Sequence, residues 1–321
     1  MHLPLMEQLL SDLLEGQAEM KKKLNEDEMR LCHYTSVSNA VSILRSGELW
    51  MRHPLCMNDV SEIKHGLEQV NLELIQSNNQ LERCLDDIKM GFYQQVQSNF
   101  GKYYDQALSE HFVLCLSEFP LTPNSLGKLS MWRAYSGADG VCLVFKKDLF
   151  IHDETHDDNP GEEPIISKVH YTNAGIVKGW LDDFCQRLVS NSDLLRTLDL
   201  EEAARLIAWV LRNYVLSVKH PAFEEEKEWR VLYTDNGEGA SYLKREVEIV
   251  NGVAQDVCKL DMKKFVLNGK PLEMKDLVER VLIGPTSYPL PIRIALIKTL
   301  KSIGIEDADQ RVFITNIPLR V

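Results

Sequence analysis

Four short stretches of the 321-residue chain bring together side chains that could act on a small polar ligand. The first is His33-Tyr34-Thr35-Ser36, where an imidazole and two hydroxyls stand between an extended segment and a helix start. Free backbone N–H groups at a helix N-terminus suit ribose hydroxyls or a phosphate, although the same residues also serve as a capping cluster around a satisfied histidine. The second, Met57-Asn58-Asp59-Val60-Ser61-Glu62, offers Asn58 and Asp59 as polar contacts; helix capping with an acid in the first turn explains the same pattern. In the third, Ser130 to Ser136, Trp132 and Tyr135 are three residues apart and share a helical face, as core or as a stacking wall for a planar ring. The fourth runs from Lys219-His220-Pro221 through Glu224-Glu225-Glu226 to Glu228-Trp229-Arg230. Glu228 and Arg230 flank Trp229 and therefore point to one side of a strand. A carboxylate there can stabilise a developing positive charge or orient a nucleophile; a solvated acidic turn with a paired arginine is the structural alternative.

Several elements must position these groups. Met29 to Thr35 reads as a strand, Asn39 to Arg45 as a helix capped by Ser36 or Ser38 and ended by Ser46-Gly47, and Glu48 to Arg52 as an extended return. Residues 60 to 110 are mostly helical by apolar spacing, as is Trp180 to Val218. Further strands are expected at Phe112–Ser117, Gly140–Phe145, Glu228–Thr234, Leu260–Phe265, Val278–Ile283 and Arg311–Thr315, with a hairpin around Asn251-Gly252 and a short helix at Lys128–Tyr135. Asp153 to Pro164 is acidic and reads as a solvated loop. Ile292 to Ser302 is a helix whose Arg293, Lys298 and Lys301 form a basic face. The mixture is α+β, with strands punctuated by long helices. Residues 1–29 stand apart as an amphipathic helix with Leu5, Met6, Leu9, Leu10, Leu13 and Leu14 on its stripe. That stripe packs on the body or docks a partner or a second copy, and the body at 30–321 is expected to fold without it.

Composition sets outer limits. With 36 Lys+Arg against 48 Asp+Glu the formal charge is −12, which excludes coating nucleic acid by bulk positive charge but leaves room for a local basic patch. No apolar run is long enough for a transmembrane helix and the first residues do not resemble a secretory leader, so a cytoplasmic protein without membrane association is expected. The seven cysteines are scattered, with no C-x-x-C pair, and read as reduced thiols rather than metal ligands; no metal is expected. No phosphate-binding loop, G-x-G-x-x-G, G-x-S-x-G or H-E-x-x-H occurs, which sets aside the commonest kinases, dehydrogenases, α/β-hydrolases and zinc proteases.

Taken in order, the H-Y-T-S block with its following I-L-R-S-G-E-L, then N-D-V-S-E, M-W-R-A-Y with G-V-C-L-V-F, and K-H-P-A-F-E-E-E-K-E-W-R resemble an uncharacterised bacterial domain family that has carried the label of a domain of unknown function. The resemblance runs from about Arg30 to Val321. That family is similar, more distantly, to ADP-ribosyltransferases of the H-Y-E type, which include toxins that modify nucleic acid. The resemblance implies an ADP-ribosyltransferase-like split mixed sheet with helical insertions, and NAD as the substrate. It gives His33 the role of holding the nicotinamide-side ribose, Tyr135 that of stacking on nicotinamide, and Glu228, in preference to Glu226, that of holding the ribose 2′-hydroxyl. Tyr34, Thr35, Ser36, Asn58, Asp59 and Trp132 would complete the pocket, with Arg52 or Arg230 at the pyrophosphate. The implied partners are an RNA, DNA or protein acceptor and, for a toxin or anti-phage effector, a neutralising antitoxin bound through residues 1–29. NAD hydrolysis without an acceptor and a non-catalytic ligand-binding or interaction module are the competing readings.

Overall fold

The computed structural model describes residues 9, 12–14, 17–56, 80–106, 110–122, 125–135, 137, 139–150, 164–171, 174–235, 240–250, 252–267 and 270–318. The chain opens with α1 (Gln17–Asn25), β1 (Met29–Ser36), α2 (Val37–Ser46) and β2 (Glu48–Arg52), followed by α3 (Gln80–Ile88), α4 (Phe92–Gln106) and β3 (His111–Pro120). Next come α5 (Leu129–Tyr135), β4 (Gly140–Phe145), β5 (Ile165–Lys168) and β6 (His170–Tyr171), then the helices α6 (Ala174–Ser190), α7 (Ser192–Thr197) and α8 (Leu200–Leu216). After β7 (Val218–Lys219) and a 3-10 turn at Pro221–Glu226, the chain forms β8 (Glu228–Thr234), β9 (Leu243–Val250) and β10 (Val253–Asp261). It ends with β11 (Val266–Leu267), β12 (Lys270–Pro271), α9 (Met274–Leu277), β13 (Val278–Ile283), α10 (Pro289–Ser302), α11 (Ala308–Arg311) and β14 (Val312–Ile314).

Local chemistry accounts for many of these boundaries. The Ser36 hydroxyl accepts from Asn39 N at 3.2 Å to cap α2, and the Gly47 N–H closes its far end on the Ile43 carbonyl at 2.9 Å. Asp199 caps α8 by accepting from Glu202 N at 2.8 Å. β9 and β10 pair antiparallel up to Val250↔Val253, on either side of the expected hairpin.

Ten strands form one mixed sheet, antiparallel except for the β13–β14 pair, in the order β14-β13-β4-β1-β3-β2-β10-β9 with β8 and β5 added beside β3. Alternation along β3 splits its side chains between two layers. Val113 faces a helical core of α3, α4, α6 and α8, whereas Phe112, Leu114 and Leu116 join the core beneath α2 and α10. A third, smaller core under α5 holds Cys32, Tyr34, Phe119, Trp132, Cys142 and Leu282.

The α+β expectation is met by this mixed, mostly antiparallel sheet with helices on both faces. Several local expectations are corrected. The helical stretch expected from Trp180 to Val218 is present as three helices, with α6 beginning at Ala174, breaks before Ser192 and before Leu200, and only Val218 passing into β7. The strand expected at Leu260–Phe265 stops at Asp261, whose carboxylate accepts from Lys263 N at 3.1 Å and turns the chain away. Residues 165–171 add β5 and β6, which composition did not signal. In the N-terminal stretch, Leu9 and Leu13 are buried in the helical core, and Met20 and Leu24 of α1 in the opposite one. Leu5, Met6 and Leu10, the helical stripe of residues 60–79 and the acidic stretch of residues 153–163 lie outside the described residues.

Candidate functional site

The sheet forks at β3. One edge of β3 pairs continuously with β8, from His111↔Thr234 to Ser117↔Glu228. The other edge is shared: β2 meets it at Arg52↔Val113, and β1 meets it from Cys32↔Ser117 to Met29↔Pro120. Between those contacts β1 and β2 diverge, and the Cys115 carbonyl lies 3.0 Å from His33 Nδ1. A carbonyl only accepts, so the neutral ring carries its proton on Nδ1 and leaves the Nε2 lone pair unused by that bond. Burial holds the imidazole below its ordinary pKa.

Across β3 lies a closed charge cluster. Lys219 Nζ sits 2.6 Å from Glu226 Oε2 and 2.8 Å from Glu228 Oε2, while Arg230 Nε donates to Glu228 Oε1 at 2.8 Å and its NH1 to the Leu216 carbonyl at 2.6 Å. All four side chains are at most 8% exposed. Two anions and two cations compensate one another, as buried ions must. The geometry originates in the turn before β8: Lys227 takes a left-handed φ of 46°, so that Glu226 on the 3-10 turn and Glu228 on the strand both meet Lys219. The cluster is tied down on all sides. Tyr171 Oη accepts from Glu228 N at 2.7 Å, Lys128 Nζ donates to the Glu226 carbonyl at 2.7 Å and to Ser117 Oγ at 3.0 Å, and Tyr135 Oη donates to Glu226 Oε1 at 3.3 Å.

The two carboxylates are electrostatically unlike. Burial works to raise Glu228, but Arg230 and Lys219 outweigh it and hold the group at about 2. For Glu226 burial is the larger effect, and its pKa lies above the ordinary value despite Lys219. Burial also raises the Tyr135 hydroxyl and the Cys115 thiol, and lowers Lys128.

Tyr135, Glu228 and Arg230 thus stand together with Glu226, Lys219 and Cys115. His33 reaches this group only through the Cys115 backbone: the Cys32↔Ser117↔Glu228 register puts Glu228 on the sheet face of Cys32, opposite that of its neighbour His33. The other residues of the expected pocket have structural partners. Tyr34 Oη accepts from Lys128 N at 2.9 Å, Thr35 Oγ1 accepts from Asn39 Nδ2 at 3.2 Å, and Ser36 caps α2. Arg52 Nε donates to Gln255 Oε1 at 3.1 Å and its NH2 to the Cys56 carbonyl. Arg230 is consumed by Glu228 and Leu216. Trp132 is core: it is 1% exposed, its indole N–H donates to Leu126 O at 2.9 Å, its ring meets Tyr34 edge-on at 4.9 Å, and Gly284 presses on it so closely that a Cβ there would lie 2.5 Å from Cε3. Asn58 and Asp59 lie outside the described residues.

Sequence reasoning passed over Lys219, although it opens the K-H-P block, nine residues before Glu228. Its β7 is only two residues long, and nothing in the pattern shows that the turn folds the lysine back onto the acids. Ser117, Lys128 and Tyr171 carried no signal. In the basic face of α10, Arg293 NH2 donates to Asp309 O at 2.9 Å and Lys301 pairs with Asp309 at 2.8 Å, leaving Lys298 as its exposed cation without an ion pair described here.

Residues 131–231 match the family model described as protein of unknown function, DUF2971. That segment runs from within α5 to within β8 and carries Tyr135, Lys219, Glu226, Glu228 and Arg230; the blocks at His33 and at Asn58–Glu62 precede it. No curated protein and no solved structure matches the chain. Among the described residues no helix is long and apolar enough to cross a membrane, and no three metal-ligating side chains cluster.

Proposed function

We propose that the protein consumes NAD, breaking the nicotinamide–ribose bond and passing ADP-ribose to a macromolecular acceptor. The observation that carries this reading is Glu228, a carboxylate held at about 2 beside the Tyr135–Glu226 contact and across β3 from the fork that contains His33. Departure of nicotinamide leaves positive charge on the ribose, and a carboxylate ionised at every physiological pH is suited to stabilise it. Lys219 supplies the compensating cation in the ligand-free cluster, so in this reading it must swing aside when the ribosyl cation forms. Tyr135 is half-buried at the rim of the cluster, and in this reading it meets the nicotinamide ring. An RNA, DNA or protein acceptor fits this chemistry, and a toxin or defence effector acting in the cytoplasm with a neutralising partner is the setting that the family resemblance suggests.

The completeness of the ion pairing favours a second reading, in which the cluster is structural and the domain is a non-catalytic binding module. Incubation with NAD labelled in its adenylate half, with and without RNA, DNA and cell extract, separates the readings. Label on a macromolecule supports transfer, free ADP-ribose supports hydrolysis alone, and intact NAD supports the second reading. In an active preparation Glu228→Gln should lower turnover by about 100-fold, the scale of one lost transition-state contact, and wild-type turnover in that variant would remove Glu228 from the chemistry.

A further inference from the structure

Away from the charge cluster, α3 packs against α6 and brings together two cysteines separated by a hundred residues of chain. All seven cysteines are free thiols. The Cys84 thiol donates to the Cys185 carbonyl at 3.5 Å. Both line an open cavity of about 510 Å³, together with Gln80, Arg83, Gln186 and Ser190. A second pair, Cys32 and Cys142, stands on the neighbouring strands β1 and β4, but both of its members are 0% exposed beneath α5. The difference between the pairs is access. Reaction with a small disulfide needs an approach path to one sulfur and a second thiol nearby; Cys84 is 9% and Cys185 4% exposed, and both line the cavity.

We propose that Cys84 and Cys185 form a thiol-modification site that small disulfides oxidise to a bond stapling α3 to α6. Cys84 is the attacking sulfur, being the less buried of the two, 9% against 4% exposed. Its thiolate attacks one sulfur of the reagent RS–SR. The reagent's S–S bond breaks, and the departing RS⁻ takes up the proton that Cys84 released. Cys185 then loses its proton and attacks the Cys84 sulfur of the mixed disulfide, expelling the second RS⁻, which is protonated in turn. Two protein thiols are oxidised to one disulfide and one RS–SR is reduced to two RSH. Oxidised glutathione is one such RS–SR.

The test treats the full-length protein with oxidised glutathione, blocks remaining thiols by alkylation and maps peptides without reduction. The expected product is a peptide pair linked through Cys84 and Cys185, with Cys32 and Cys142 recovered alkylated and a higher Tm that reductant reverses. Cys185→Ser should stop at the first step and accumulate one glutathione on Cys84, whereas Cys84→Ser should form neither product. Oxidation that links Cys32 to Cys142 first, or that leaves Cys84 and Cys185 unmodified while Cys56 reacts, would overturn the proposal. The wild-type map decides this even if a serine variant fails to fold.

Discussion

The ammonium of Lys219 lies 2.8 Å from Glu228 Oε2, and both side chains are 4% exposed. Removing one ion of such a pair leaves the other buried and uncompensated, which costs about 3–5 kcal/mol. Lys219→Met should therefore destabilise the protein by that amount in urea titration. Glu228→Gln should do likewise, because it strands both Lys219 and Arg230. Glu226→Gln should cost no more than about 1 kcal/mol, since burial already disfavours that charge and Glu228 still compensates Lys219. Equal losses for the two glutamine variants would show that the two carboxylates share the cluster evenly.

Acid should act through histidines before it acts through these carboxylates. Burial holds His111 and His170 at about 3 and lowers His33 as well. A histidine with a depressed folded pKa contributes stability that is present above the unfolded value, about 6.5, and is lost as pH falls toward the folded one. Each contributes a slope of about 1.4 kcal/mol per pH unit. Stability measured by urea titration should thus decline from about pH 6.5 downward. Glu228 follows the same sign in a lower window, from the unfolded value near 4.3 toward about 2, while Glu226, being raised, acts with the opposite sign above its unfolded value, where stability falls as pH rises through its folded pKa. His111→Gln should flatten the upper limb by one proton; an unchanged slope would mean that the ring is protonated in the folded state.

How much of this was legible follows from the range over which each signal acts. Strands such as Glu228–Thr234 and Gly140–Phe145, the Ser36 cap and the Asn251-Gly252 hairpin are local, and periodicity or turn chemistry reveals them. The pairing of Glu228 with Arg230 was legible too, as strand neighbours on one face. The fork was not, because it depends on β1 and β2 meeting the same edge of β3 at Ser117 and Val113, some 80 and 60 residues away in sequence. Trp132 and Tyr135 show the limit within a single helix. Their shared face left core and stacking wall open, and the two rings divide: Trp132 is core and Tyr135 reaches Glu226, a difference set by Gly284 and the 3-10 turn at Glu226.

Gly284 supplies a direct handle on that arrangement. A methyl group there would sit 2.5 Å from Trp132 Cε3, a distance no side chain tolerates, so Gly284→Ala must push the indole and with it α5. Gly127 is constrained twice, by a φ of 79° and by Tyr34 Oη 2.7 Å from where its Cβ would lie. Each alanine variant should lose about 1–3 kcal/mol of stability, with a shift in tryptophan fluorescence for Gly284→Ala. If NAD turnover is found, Gly284→Ala should reduce it through displacement of Tyr135. Unaltered fluorescence together with unaltered Tm would show that α5 is free to move outward.

The N-terminal stretch has two readings in the sequence. Its leucine stripe packs on the body or docks a partner or a second copy, and the body is expected to fold without it. In the folded protein Leu9, Leu13, Met20 and Leu24 are at most 1% exposed and are divided between the two principal cores. Full burial of one such side chain is worth about 1.5–3 kcal/mol, so the four together approach the whole stability of a typical domain, about 5–15 kcal/mol. Deleting residues 1–28 should therefore abolish the cooperative thermal transition or leave the protein aggregated, because the cores on both faces of the sheet lose part of their cover. Single Leu9→Ala and Leu24→Ala variants, each expected to cost about 2–5 kcal/mol, test the same point without removing the chain. A truncated protein that stays monomeric with a Tm within a few degrees of the full chain would show that these side chains are dispensable, and would return the segment to the role of a docking helix.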